Sequence, residues 1–432
     1  MANNNANFKS INSFNKYFFF YLSILFLLGI YYLHYKHNAG SDSSISEYLI
    51  NYQGGFVRRG LPGEILFRYS DYFNLNLRFQ IFLFQSIIYS IFLLLTFILF
   101  KDFKKNGLIL FAIYTPIFLL FPIAELESLG RKETFLYVFF LSLILIKNKK
   151  NANIFTLIAL PLTCAIYEEV VLFTPFIYSV ILLKNKINDI KSAIKLSLLF
   201  IPSIIIVALF FIFPMTSENH MIMANGLMNT FGEECYMSCS LLVKNDINSF
   251  SKMLDYIWGG SHVYLPSILI RYFLIILVGF FPIFLLSYFS YFKDDIFFSK
   301  IKLKNIFLFL VLCYIPIIPL FLLGGDWGRW VGLTISFTTI FYFYLYKNNF
   351  INVNFILINQ KLSFFRERKK LVTLLFIIFA FGWNQKTTSV EDVATNPLYK
   401  IPYNTAKRIF GWGSFQILQD STIIKWHKNI IE

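Results

Sequence analysis

"YFFFYLSILFLLGIYYLHYK", Tyr17 to Lys36, and "FQIFLFQSIIYSIFLLLTFILF", Phe79 to Phe100, decide the fold class. An α-helix satisfies its own backbone hydrogen bonds, and about 20 apolar residues in a helix cross the hydrocarbon core of a bilayer. Blocks of this kind recur along the 432-residue chain, which is 57% hydrophobic and 20% aromatic. A soluble domain has about half its residues apolar, spread in short periodic runs. The alternating runs of a membrane β-barrel are not seen. The expectation is an all-α polytopic bundle of about eleven transmembrane helices, several of them short. The segments around Arg131 and around Glu168 read as hairpins that do not each cross fully. The start, "MANNNANFKSINSFNK", is polar, and the block after it has no small-residue cleavage site. That block is expected to remain as the first span.

The formal net charge is +15. In a soluble protein this would suggest nucleic acid; in a membrane chain the charge is first sorted by loop. One alternating set of loops is dense in lysine: "KDFKK", "KNKKN", "KNKINDIKSAIK" and "KDDIFFSKIKLK". The positive-inside rule makes these cytoplasmic and puts the amino terminus inside. The opposite loops carry Arg, Glu, Asp, Gly and Trp in tight clusters, so any chemistry faces outward. The expected organisation is one membrane domain over residues 1–384, with a long outer loop at 215–262, and a tail over 385–432 packed on the outer face. The chain has no GxxxxGK[ST] loop, no GxGxxG unit and no GxSxG elbow.

The outer loops hold four constellations. "GGFVRRGLPGE" places Arg58 and Arg59 among glycines, with Glu64 as a possible carboxylate partner. Arginine presents a planar fork that suits phosphate oxygens, and glycine lets backbone approach a ligand. The plainer reading is snorkelling to lipid phosphates. "ESLGRKE" sets Arg131 and Lys132 beside Glu127 and Glu133, as a second phosphate contact or a local salt-bridge cluster. "AIYEEVVLF" holds Glu168 and Glu169 inside an apolar run, where ionisable groups are costly. They could act as a general base, accept sugar hydroxyls, or pair with Arg131 or Arg58. "LLGGDWGRWVG" sets Asp326 and Arg329 three residues apart, so that they meet on a helix. Trp327 and Trp330 flank them, either as an aromatic belt or as sugar-stacking rings.

The long outer loop adds His220, Cys235, Cys239 and His262, and Arg271 lies just inside the next span. Arg271 needs a carboxylate or a ligand phosphate there. Cys235 and Cys239 could be bonded if that loop is extracytoplasmic. The spacing of His and Cys matches no zinc pattern, and no metal or other cofactor is expected.

Architecture and loop content together resemble the Wzy-type O-antigen polymerases, polytopic proteins of about this length with a sizeable periplasmic loop and essential outward arginines. "GGFVRRG", "GRKE" and "GGDWGRW" carry the resemblance. It implies a GT-C-like membrane glycosyltransferase of the bacterial inner membrane, acting at the periplasmic face without a nucleotide. The substrate it implies is a glycan on undecaprenyl diphosphate, transferred to another lipid-linked repeat unit in lipopolysaccharide synthesis. A chain-length regulator is an expected partner, nucleic acid is not, and the lipid bilayer is the medium. On this reading Arg58, Arg59, Arg131, Arg329 and Arg271 bind diphosphate. Glu168 or Asp326 deprotonates the acceptor, while Trp327, Trp330, Glu169 and His262 hold sugar. Such polymerases often have a second arginine-rich periplasmic loop, whereas here the arginines are spread over several short loops. Two alternatives stay open. One is a GT-C enzyme adding a single sugar from a polyprenyl-phosphate donor. The other is a flippase or transporter of lipid-linked sugars.

Overall fold

The structure, a computed structural model, describes residues 2–38, 40, 42–103, 107–243, 265–363, 367–388 and 396–410. It is mostly helical. A short antiparallel ribbon, Ser290–Phe292 against Ile351–Val353, departs from the all-α expectation; Tyr291 pairs with Asn352.

Four helices among the described residues are long and apolar enough to cross a membrane: Phe14–Asn38, Leu77–Phe100, Ile190–Ile212 and Ile268–Tyr288. The expected count of about eleven is therefore not met by span-length helices. Proline and irregular turns account for much of the difference. The apolar segment from Gly107 is a helix only to Ile113, and Pro116 follows. Pro316 puts a 3-10 turn between the helices Ile306–Tyr314 and Ile318–Leu323. Proline lacks the N–H that an unbroken helix needs. Glu133–Leu145 is helical for only 13 residues.

The four long helices turn large apolar side chains outward. Phe19 is 61% exposed, Leu27 66%, Leu94 59%, Ile204 59% and Phe273 64%. In water such surface would drive association; in lipid it is the matching solvent.

The centre of the bundle is the helix Trp327–Lys347, buried on every side from Trp327 to Leu345. A helix that is apolar all round belongs in a core. Phe337 stacks on Phe140 at 4.6 Å between ring centroids and meets Phe173 at 4.5 Å, and Phe341 stacks on Phe309 at 5.6 Å. The hydroxyls of Thr334, Ser336 and Thr338 donate to carbonyls one turn back, so they cost the core no unpaired donor.

Lysines cap helix ends on the side away from the charged loops. Lys184 Nζ donates to the carbonyls of Ile144 and Ile146, and Lys347 Nζ to those of Ile98 and Leu99. Terminal carbonyls lack intrahelical partners and favour a cation. At the opposite end, Lys400 of the helix Pro397–Phe410 reaches Glu125 at 2.9 Å, and Gly328 N donates to the Thr387 carbonyl.

Candidate functional site

Four outer segments that look unrelated in sequence meet in one cluster, joined by a fifth that carries Glu47. Asp42 caps the helix Ser43–Leu49, accepting from Ser44 N at 2.8 Å and Ile45 N at 3.3 Å. This helix buries Glu47 to 1% exposure. Arg131 Nη1 donates to Glu47 Oε1 at 2.6 Å, and Arg131 Nη2 donates to Ser43 Oγ at 2.8 Å. The next residue, Lys132, is also fully buried. Its backbone N–H donates to Glu47 Oε2 at 3.2 Å, and its Nζ donates to the Arg59 carbonyl at 2.5 Å.

Arg59 sits at φ 64, a left-handed backbone position unusual for a non-glycine residue. Its Nε and Nη2 grip Glu168 at 2.8–3.0 Å, and Nη2 reaches Glu169 Oε1 at 3.3 Å. The guanidinium lies 4.5 Å from the centroid of the Tyr167 ring. Arg58 Nη1 is 3.5 Å from Glu168. Arg329 holds the other side. Its Nε donates to Glu133 Oε1 at 2.7 Å and Nη1 to Asp326 at 2.6 Å; Nη2 reaches Glu47 and Tyr167 Oη at 3.3 Å each.

Five cations thus face five carboxylates: Arg58, Arg59, Arg131, Lys132 and Arg329 against Glu47, Glu133, Glu168, Glu169 and Asp326. This matters for the phosphate reading. Arg59, Arg131 and Arg329 are already matched to internal carboxylates. Arg58 is the cation at the rim, with 37% of its side chain exposed and its buried Nε without a partner among the described residues. It borders a small cavity walled by Val57, Phe210, Phe213 and Met215.

Two carboxylate oxygens in the cluster, Glu133 Oε2 and Glu169 Oε2, are buried and accept from no donor among the described residues. Three of the carboxylates, Glu47, Glu168 and Glu169, differ in proton affinity for physical reasons. Burial would raise Glu47, but Arg131 and Arg329 overcome it and hold the carboxyl at about 2. Glu168 follows the same logic, with Arg59 overcoming burial and holding it at about 2. Glu169, on the same 3-10 turn outside the span-length helices, is pushed up to about 7 by burial and by its neighbours Glu168 and Glu133, against the pull of Arg59. Burial pushes the Lys132 ammonium down to about 7 despite Glu47. Glu168 is therefore a weak proton acceptor at neutral pH, and Glu169 is a matched one.

Other expected residues fall elsewhere. Glu64 does not pair with Arg58 or Arg59; it accepts from Tyr52 N at 2.8 Å and from Arg68 Nε at 2.7 Å. The glycines of that loop bring backbone against backbone. A Cβ on Gly54 would lie 1.9 Å from the Asn219 carbonyl oxygen, and one on Gly63 would lie 1.9 Å from that of Ile50. Trp327 and Trp330 are 5% and 6% exposed and pack against Phe321. Both rings are core residues in this arrangement, which leaves no open face for a sugar. Arg271 lies over the Tyr272 ring at 5.6 Å, and that ring meets Trp327. His262 lies outside the described residues.

Lys132 and Glu133, already conspicuous in "ESLGRKE", complete the cluster together with Glu47 and Tyr167, which carried no site role of their own in the sequence. Tyr167 directly precedes Glu168. Glu47 sits in "SSISEYL", where nothing local marks it.

A separate apolar groove of about 600 Å³ runs between the first helix and the helices Lys369–Phe381 and Pro397–Phe410, lined by Phe20, Ile24, Leu28, Phe376, Leu398 and others. No residue of the charged cluster lines it. Glu125, paired with Lys400 of the last of these helices, lies between Ala124 and the "ESLGRKE" stretch. Set against family models, curated proteins and solved structures, the chain matches none of them.

Proposed function

We propose that the protein is an O-antigen-type polymerase, a GT-C-like glycosyltransferase at the periplasmic face of the bacterial inner membrane. It joins oligosaccharide repeat units carried on undecaprenyl diphosphate. One observation carries the reading: loops from across the chain bring five cations and five carboxylates together at one end of an apolar bundle, with two buried carboxylate oxygens short of a donor. Burying so much charge out of water is costly, and carboxylates with perturbed proton affinity cluster at functional sites.

The unfilled oxygens of Glu133 and Glu169 suit hydroxyl donors, and a glycan is rich in these. Glu169 takes the proton as the acceptor hydroxyl attacks the donor's anomeric carbon, and the bond to the lipid diphosphate breaks. Arg58, at the rim, meets the leaving diphosphate. Arg59, Arg131 and Arg329 hold the carboxylates in place, a positioning role that favours the transition state because little has to move. The apolar groove suits an isoprenoid chain. The lysine-capped end faces the cytoplasm, in keeping with the positive-inside rule.

The test is the lipopolysaccharide banding pattern of a strain lacking the gene. A polymerase leaves core plus a single repeat and no ladder. Wild-type protein restores the ladder, and Arg58→Ala and Glu169→Gln do not, at equal protein levels in the membrane. Loss of every O-unit band would point instead to single-sugar transfer or to a flippase. An unchanged ladder would end the polymerase reading.

A further inference from the structure

Away from the charged cluster, His220, Cys235 and Cys239 bring one nitrogen and two sulfurs within 4.8 Å of one another. Cys235 and Cys239 are joined as a disulfide. His220 Nε2 stands 3.2 Å from Cys235 Sγ. We propose that these three residues form a soft-metal site of the Zn²⁺ class that opens only when the disulfide is reduced, so that the same two sulfurs alternate between a covalent bond and a metal.

The scaffold puts the ligands in place from two sides. His220 lies on the first turn of the helix Ser217–Phe231, which ends at Gly232 in the left-handed conformation (φ 65) and sends the chain back toward its own start. The returning turn is tied down independently of the sulfurs. Glu233 accepts from Arg78 Nε at 2.6 Å, and Ser238 N donates to Ser46 Oγ at 3.2 Å. Opening the sulfur–sulfur bond therefore leaves both cysteines beside the imidazole. Zn–S bonds of about 2.3 Å in a tetrahedron set two sulfurs about 3.8 Å apart. The 5.3 Å between the two Cα atoms allows that separation by side-chain rotation.

Two thiolates and an imidazole are the donor set that selects zinc-like ions over hard cations. Three protein ligands leave one position for water or a fourth donor. The chemistry balances simply. A dithiol-class reductant gives two electrons and two protons to the disulfide, yielding two thiols and an oxidised reductant. Binding of the ion then releases the two thiol protons. The site also abuts the loops that feed the charged cluster. Asn219, next to His220, touches Gly54 of "GGFVRRG", and Ser46, next to Glu47, receives Ser238 N.

The experiment uses the full-length protein in detergent, with Cd²⁺ as the probe and Zn²⁺ as competitor. After reduction with a phosphine, wild type is expected to gain thiolate-to-cadmium charge-transfer absorption saturating at about one ion per chain. Air-oxidised protein should gain none, and Zn²⁺ should erase the signal. His220→Ala should weaken binding by at least about tenfold. That variant keeps both cysteines, so loss of a ligand is separated from loss of the disulfide. Cys235→Ser, which retains Cys164 and Cys313, sets the background. The proposal is overturned if reduced wild type titrates like Cys235→Ser, or if His220→Ala binds as tightly as wild type.

Discussion

Arg59 and Glu168 face each other fork to fork, with Nε and Nη2 reaching both carboxylate oxygens at 2.8–3.0 Å across 109 residues of chain. Tyr167 lies under the guanidinium, and the Arg59 carbonyl receives the Lys132 ammonium. One residue thereby ties the glycine-rich loop to two other segments.

Removing one member of this pair leaves the other charge in a poorly solvated place. Glu168→Gln is expected to cost about 3 kcal/mol, at the lower end for a buried pair because both side chains keep some exposure. The double variant Arg59→Met/Glu168→Leu should cost less than the sum of Arg59→Met and Glu168→Leu made singly. Thermal unfolding in detergent measures both; strict additivity would mean that the two side chains do not depend on each other.

Burial also ranks the partners of Arg329. Glu47 is 1% exposed and Asp326 is 38% exposed, although both carboxylates reach the same guanidinium. Glu47→Gln is expected to destabilise by about 3–5 kcal/mol, since Arg131 and Arg329 both lose a partner out of water. Asp326→Asn should cost no more than about 1 kcal/mol. The reverse order in a denaturation series would show that the cluster is wetter than its geometry implies.

The two glutamates of one turn should titrate in opposite senses. Glu168 is held at about 2, so its contribution is present above the ordinary carboxylate range and is lost as pH falls from about 4.5 toward 2. Glu169 is raised to about 7, so the folded state holds a proton that the unfolded chain has released between about 4.5 and 7. Its contribution therefore declines as pH rises through that window. Glu169→Gln removes this decline. The stability of that variant relative to wild type should rise by roughly 1–3 kcal/mol between pH 4.5 and 7 and then level off. A difference that stays flat across the window would place an ordinary carboxyl at Glu169.

Gly63 should tolerate no side chain. A Cβ there would sit 1.9 Å from the Ile50 carbonyl oxygen, a backbone atom that cannot swing aside. Gly63→Ala is expected to cost at least about 1–3 kcal/mol. Gly40 has no heavy atom of the described residues within 4 Å of the same added Cβ, and Gly40→Ala should fall within about 0.5 kcal/mol of wild type. Equal melting temperatures for the two would contradict the tight contact.

Hydropathy summed over a window is a local quantity, so the sequence by itself determined that Phe14–Asn38 and Leu77–Phe100 are long apolar helices. The pairing of Asp326 with Arg329 was also local, because three residues on a helix is one turn. The number of span-length helices was less legible, since a window average passes over what Pro116 and Pro316 do to a hydrogen-bond ladder. Only the tertiary structure decided which carboxylate each arginine meets. Arg131 takes the carboxylate of Glu47 from 84 residues away and gives neighbouring Glu127 only a bond to its backbone carbonyl, and Arg59 passed over nearby Glu64 for Glu168. It also decided that the tryptophans of "GGDWGRW" face inward to Phe321. A buried charge takes the partner that packing brings within reach, and that depends on how helices far apart in the chain come together, which composition and spacing do not encode.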